Sequence, residues 1–209
     1  MAVTETPAAL VFSAAYPPGV SAGPLSLDGK WKLDYWEQGD TPVMSPEQAS
    51  GLVVNSIEAT VPGNVELDLC AAGLMPEPET GSNVYLFRSI EGYQWRYSRL
   101  FTTPVHDPGD RVMLNFGGID CFAEIYVNGK HVGSSDNMLI PYSFDATGAL
   151  NPAGESNILE VYIRSSVLEG RKYIPPVFSI NFAQVESVFV RRAPHTYGWD
   201  IMPRLVSAG

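Results

Sequence analysis

Hydrophobic and polar positions alternate along most of this chain, with the two-residue period of a β-strand. Tyr93, Trp95, Tyr97, Arg99 and Phe101 share one face of a run that Pro104 ends. Val112, Leu114 and Phe116 alternate next and stop at Gly117-Gly118. Residues 122–127 are followed by Asn128-Gly129 and then Lys130-His131-Val132. Asn-Gly between two alternating runs predicts a tight hairpin, because both turn positions need a positive φ. Leu159, Val161 and Ile163 mark a strand after the turn-rich stretch 151–157, and 185–192 reads as the last strand, with Val188 and Val190 on one face and Phe189 on the other. Near the start, Leu25, Leu27, Trp31 and Leu33 alternate around an Asp28-Gly29 turn.

Helical signals are few and short. Ser45-Pro46-Glu47-Gln48 has a capping serine, a proline suited to the first helical position and a glutamine placed for a capping box. Asn64 caps a second short helix that Gly73 stops. Both read as decorations in loops. Short strands, turn residues between them and no βαβ alternation predict an all-β fold, a sandwich with one or two short helices in loops.

Composition narrows the picture. In 209 residues there are 19 glycines and 17 prolines, which favours turns and short strands. Prolines among small residues make 1–24 an extended N-terminal arm, and the absence of repeats or composition shifts makes 25–209 one domain. The net charge of −10, with no basic cluster beyond Arg171-Lys172 and Arg191-Arg192, argues against a nucleic-acid surface and against anionic lipid. No run of ~20 apolar residues predicts a membrane span. Cys70 and Cys121 are expected to be free thiols. No Cys/His ligand spacing or Asp-rich loop calls for a metal, and no cofactor is expected. Gly-X-Ser-X-Gly, His-Glu-X-X-His and P-loop patterns are all missing, so no catalytic residue is assigned in this chain.

The chemistry that stands out lies near the end, in Tyr197-Gly198-Trp199-Asp200-Ile201-Met202-Pro203-Arg204. An aromatic ring can stack on the apolar face of a pyranose while a neighbouring carboxylate accepts hydrogen bonds from its hydroxyls. Trp199 and Asp200 are therefore candidate substrate-binding residues. Tyr197 and His195 are further substrate-binding candidates, and Arg192 and Arg204 are candidates there for holding the Asp200 carboxylate by bidentate contact. His106 and His131 read as solvated. Tyr35 and Trp36 are the first candidates for a second glycan-binding face.

Together these residues resemble the N-terminal sugar-binding domain of glycoside hydrolase family 2, in its β-mannosidase-like branch. The likeness is carried by Leu27-Asp28-Gly29-Lys30-Trp31, Val61-Pro62-Gly63-Asn64-Val65, Trp95-Arg96-Tyr97, Phe116-Gly117-Gly118-Ile119-Asp120 and Ala123–Gly133. Pro141–Thr147, Asn157–Val161 and the closing Arg191–Asp200 continue it. The resemblance implies a jelly-roll-like sandwich of the galactose-binding type, followed in the parent enzyme by immunoglobulin-like domains and a (β/α)₈ barrel. The barrel would carry the two glutamates of a retaining mechanism. It further implies that Trp199 and Asp200 reach the terminal sugar, most simply a β-mannoside, at the barrel mouth. The pattern has a second Trp and a Gly where this chain has Ile201 and Met202, so β-galactoside and β-glucuronide stay open as substrates. A stand-alone carbohydrate-binding module and an interdomain scaffold stay open as roles. Implied partners are carbohydrate and the catalytic and immunoglobulin-like domains. The implied compartment is the periplasm or exterior of a bacterium, with the cytoplasm as the alternative.

Overall fold

A computed structural model describes residues 24–107, 109–174 and 185–209. Eight strands are present among them: β1 (Gly29–Glu37), β2 (Asn55–Val61), β3 (Tyr93–Thr102), β4 (Met113–Phe116), β5 (Phe122–Val127), β6 (Lys130–Ser135), β7 (Tyr142–Asp145) and β8 (Ser156–Arg164). Six form an antiparallel sheet in the order β2-β1-β3-β8-β5-β6, and β4 pairs with β7 in a second, small sheet. The arrangement is the mostly-strand sandwich that the alternation predicts.

The register explains the core. Ile125, Val161, Tyr97, Leu33 and Ile57 stand opposite one another across five strands, forming one apolar rung. Ala123, Ile163, Trp95 and Tyr35 form the next. Leu114 and Phe116 of β4 with Tyr142 and Phe144 of β7 close over this face. Side chains alternate across a strand, so the residues between point outward. There Ser56, Asp34, Arg96, Tyr162, Glu124 and Ser134 make a polar rung across all six strands. Asp34 is fully buried, yet accepts hydrogen bonds from Ser56 Oγ, Lys32 Nζ and, at 3.0 Å, Arg96 Nε. Burial alone would raise its pKa, but these donors win and hold it below the usual carboxylate range. His131, at the far end, is not simply solvated: its Nε2 lies 2.7 Å from Glu124 Oε2.

Tyr35 and Trp36 cannot share a glycan-binding face, because adjacent strand residues point to opposite sides. Tyr35 packs inward on Tyr93 and Trp95, with ring centroids 6.2 and 5.5 Å away.

The short helices form as the caps require. In α1 (Pro46–Ala49) Ser45 Oγ accepts from Gln48 N, and in α2 (Val65–Ala71) Asn64 Oδ1 accepts from Leu67 N. The second is more than decoration, since it sends Val65 and Leu69 into the main core. A third helix, α3 (Ser166–Gly170), follows β8. The Asn128-Gly129 hairpin is present with φ of 51° and 76°.

Two expected elements differ. No hairpin forms around Asp28-Gly29; β1 begins at Gly29 and pairs with β2, while Leu27 O accepts from Trp31 Nε1 and from Arg99, both at 2.8 Å. Residues 185–192 are not a strand. Val185–Val188 is a 3₁₀ turn, and Arg191 makes only an isolated parallel bridge to Asn137. The reason is Glu186, which is buried to meet Arg204 at 2.7 Å and packs against Gly170, where a Cβ would lie 2.7 Å from its own. Val188 is exposed while Val190 is buried. The arm 1–24 lies, apart from Pro24, outside the described residues. Cys70 and Cys121 are free thiols, and burial pushes the Cys121 thiol up to about 12.

Candidate functional site: a pinned loop with an exposed Trp-Asp tip

The closing segment folds as a loop fixed at its base. Pro194–Thr196 is a 3₁₀ turn, Tyr197 bridges Arg204 in antiparallel fashion, and Leu205 N donates to Thr196 O at 2.9 Å. Between them Gly198 has φ +88° and Asp200 φ +55°. Asp tolerates the left-handed region better than most residues. Met202 N donates to Trp199 O at 3.1 Å and tightens the tip. Trp199 is 66% exposed, Ile201 91%, and Asp200 lies open beside them.

The base is buried and charged. Tyr197 is 1% exposed and lies under the Arg204 guanidinium, whose carbon is 5.5 Å from the ring centre. Arg204 is bidentate, but to Glu91, at 2.7 and 2.9 Å, and it also donates to Glu186 at 2.7 Å. Burial would lower the pKa of this arginine, and the two carboxylates more than reverse that. Arg192 donates to Thr196 Oγ1 and to Ser207 O, both at 2.9 Å, and pairs with Asp120 Oδ2 at 2.7 Å. Both arginines are thus committed to Asp120, Glu91 and Glu186, and neither ion-pairs with Asp200. They fix where the loop stands, as does Tyr197.

Two depressions flank the loop. One, of about 200 Å³, runs between Tyr197, Gly198 and Met202 and the 3₁₀ helix Asn83–Ile90, which contributes Val84, Tyr85 and Arg88. Tyr85 and Met202 line this depression, and Tyr85, Leu86, Trp199, Ile201 and Met202 are each exposed. The other, a cavity of about 380 Å³, lies behind the loop and is lined by Glu66, Asp120, Arg192, His195 and Thr196 among others. Burial pushes the Asp120 pKa up to about 6; Arg192 pulls it down, and nearby Glu66 pushes it further up. Glu66 is raised for the same first reason. Of the six residues singled out in the sequence, Arg192 and His195 reach the cavity, Tyr197 and Arg204 the groove, and Trp199 and Asp200 the tip. Glu66, Asp120, Glu91, Glu186 and Tyr85 went unnoticed, because none carries a local signal linking it to residues 192–204. Among the described residues, no three His, Cys, Asp or Glu side chains are grouped to hold a metal ion.

The fold is a strand sandwich that carries an exposed aromatic-carboxylate loop. Residues 36–209 match the glycosyl hydrolase 2 galactose-binding domain-like family, and the chain belongs to it. It is similar to beta-mannosidase B of Thermothelomyces thermophilus, with 30% identity over 189 residues, 88% of this chain and 20% of that one. Beta-mannosidase B of Emericella nidulans is 34% identical over 154 residues, 72% of this chain and 18% of that one. Among solved structures, the β-D-mannosidase of Dictyoglomus thermophilum superposes with a TM-score of 0.69 at 33% identity, covering 88% of this chain and 21% of that one. The chain therefore spans about a fifth of the length of these relatives.

Proposed function

We propose that this chain is the N-terminal domain of a retaining glycosidase that hydrolyses terminal β-mannosides, and that it lends Trp199 and Asp200 to the sugar pocket at the mouth of a catalytic barrel. The supporting observation is the loop itself. An indole and a carboxylate stand in solvent on a tip whose base is pinned by three buried side chains. Exposing a large aromatic has a use when another surface covers it, and pre-fixing the loop lowers the entropy lost on engagement. Trp199 would cover the apolar face of the terminal sugar, and Asp200 would accept hydrogen bonds from its hydroxyls. Bond cleavage falls to the two barrel carboxylates, one as acid/base and one as nucleophile.

The mannosidase relatives, at 30 to 34% identity, support mannose as the sugar. The test is hydrolysis of aryl β-mannoside, β-galactoside and β-glucuronide by the catalytic polypeptide carrying this domain, beside residues 1–209 alone. Mannoside turnover by the larger polypeptide only is expected. Preferential cleavage of the glucuronide or galactoside would refute the assignment of the sugar.

A further inference from the structure

The loop is braced on two sides. On the groove side Arg204 meets two carboxylates, Glu91 and Glu186, and an arginine keeps its charge at any working pH. On the cavity side the brace is a relay. Asp120, in the loop before β5, pairs through Oδ2 with Arg192 at 2.7 Å. Arg192 in turn grips both legs of the loop, donating to Thr196 Oγ1 and to the carbonyl oxygens of Leu205 and Ser207. Behind Thr196, Met202 and Leu205 lies the cavity of about 380 Å³ rather than packed side chains, so on this side the ion pair carries the positioning.

Asp120 is the member of this relay that can change state. Its Oδ1 is buried with no hydrogen-bond partner, so its charge rests on Arg192. The other titratable groups that face it give no support. Glu66 of α2 repels the charge, burial keeps Tyr97 of β3 and Tyr197 of the loop neutral, and the adjacent Cys121 thiol is neutral too. His195 lines the same cavity. Burial, opposed by Arg192 and reinforced by Glu66, brings the Asp120 pKa to about 6.

We propose, on the reading of the loop given above, that Asp120 is a positioning residue for the sugar site: through Arg192 its carboxylate holds the Trp199-Asp200 tip where the reacting sugar needs it, and protonation loosens that hold. Displacement of a contact by about 1 Å can cost a reaction about 100-fold, so a loosened tip is felt in turnover without a broken fold.

The experiment is kcat/KM on an aryl β-mannoside between pH 5 and 7.5, for the catalytic polypeptide carrying this domain, as wild type and as Asp120→Asn. The ratio of the two cancels every titration they share, the barrel carboxylates included. Asp120 is about one-tenth ionised at pH 5 and almost wholly ionised at pH 7.5. The ratio should therefore rise from under about twofold to about tenfold, with its midpoint near pH 6. Thr196→Val keeps the ion pair but frees one leg of the loop, and should lower kcat/KM about threefold at pH 7.5. Gly133→Ala, remote from the loop, should weaken the fold and leave kcat/KM unchanged. In an Asp200→Gly background Asp120→Asn should lose most of its effect, since both act through the tip. Urea denaturation reports whether each variant is folded. A ratio that does not change with pH overturns the proposal, as does wild-type kcat/KM at pH 7.5 in the folded variants of Asp120 and Thr196, or an undiminished effect in the Asp200→Gly background. Where Asp200→Gly is crippled and Asp120→Asn is not, this proposal falls alone; wild-type turnover in Asp200→Gly removes the loop reading with it.

Discussion

Buried carboxylates whose pKa values are raised make stability depend on pH in an unusual direction. Asp120, with a side chain 13% exposed, titrates near 6 when folded against an ordinary 3.8. That gap of about two units, at ~1.4 kcal/mol each, means the ionised group costs the fold about 3 kcal/mol at neutral pH. The folded chain holds this proton more tightly than the unfolded chain. The cost is therefore absent below about pH 4, grows as pH rises through the window to about 6, and is complete above it. Glu66 and Asp68 are raised by burial too and act in the same sense. Asp34 acts oppositely, but its contribution is lost only as pH falls below the ordinary 3.8, outside this window. Urea denaturation at pH 7.5 and at pH 4.5 should show the domain gaining roughly 2 kcal/mol on acidification from Asp120 alone. Asp120→Asn should remove most of that gain. A midpoint that falls steadily from pH 7.5 to 4.5, or an unchanged gain in Asp120→Asn, would refute the reasoning.

Other perturbations follow from the same contacts. Arg204→Met leaves buried Glu91 without its cation and Glu186 with only Arg171, 3.9 Å away, and should cost about 3–5 kcal/mol by urea denaturation, more than any single surface substitution. Gly133→Ala drives a Cβ to within 2.1 Å of the Phe144 ring and should cost about 1–3 kcal/mol by the same assay. Asp200→Gly relieves a left-handed φ of +55° and should leave stability unchanged or raised by up to about 1 kcal/mol, read as an unchanged or slightly higher melting temperature, whereas Asp200→Ala should lower it.

Much of the sandwich is legible in the sequence because strand alternation is a local signal. The rungs through Trp95, Ile125 and Val161 follow from residues two apart, and Asn128-Gly129 announces its own turn. The pattern at 185–192 misleads, since Val188, Phe189 and Val190 alternate as a strand would. The deciding residue is Glu186, whose partner Arg204 lies 18 positions away, and no local rule reveals that pairing. The site divides likewise. Trp199 and Asp200 stand out as candidates by type and adjacency, and both lie exposed at the loop tip. Arg192 and Arg204 are identified as important but given the wrong partner, because Glu91 lies 113 residues from Arg204 and Asp120 meets Arg192 only through the fold. The cavity has walls from α2, the loop before β5 and the closing segment, and so leaves no trace in any one stretch.

The central claim is that the Trp199-Asp200 tip completes a sugar site in a larger enzyme. Its most direct test is kcat/KM on an aryl β-mannoside for the catalytic polypeptide carrying this domain, as wild type and as Asp200→Gly, the substitution that spares the fold. A loss of about 100-fold at unchanged melting temperature is predicted, the order expected when a charged contact to the reacting sugar goes missing. Wild-type kcat/KM in the Asp200→Gly enzyme would contradict the account and reduce the loop to an interdomain contact.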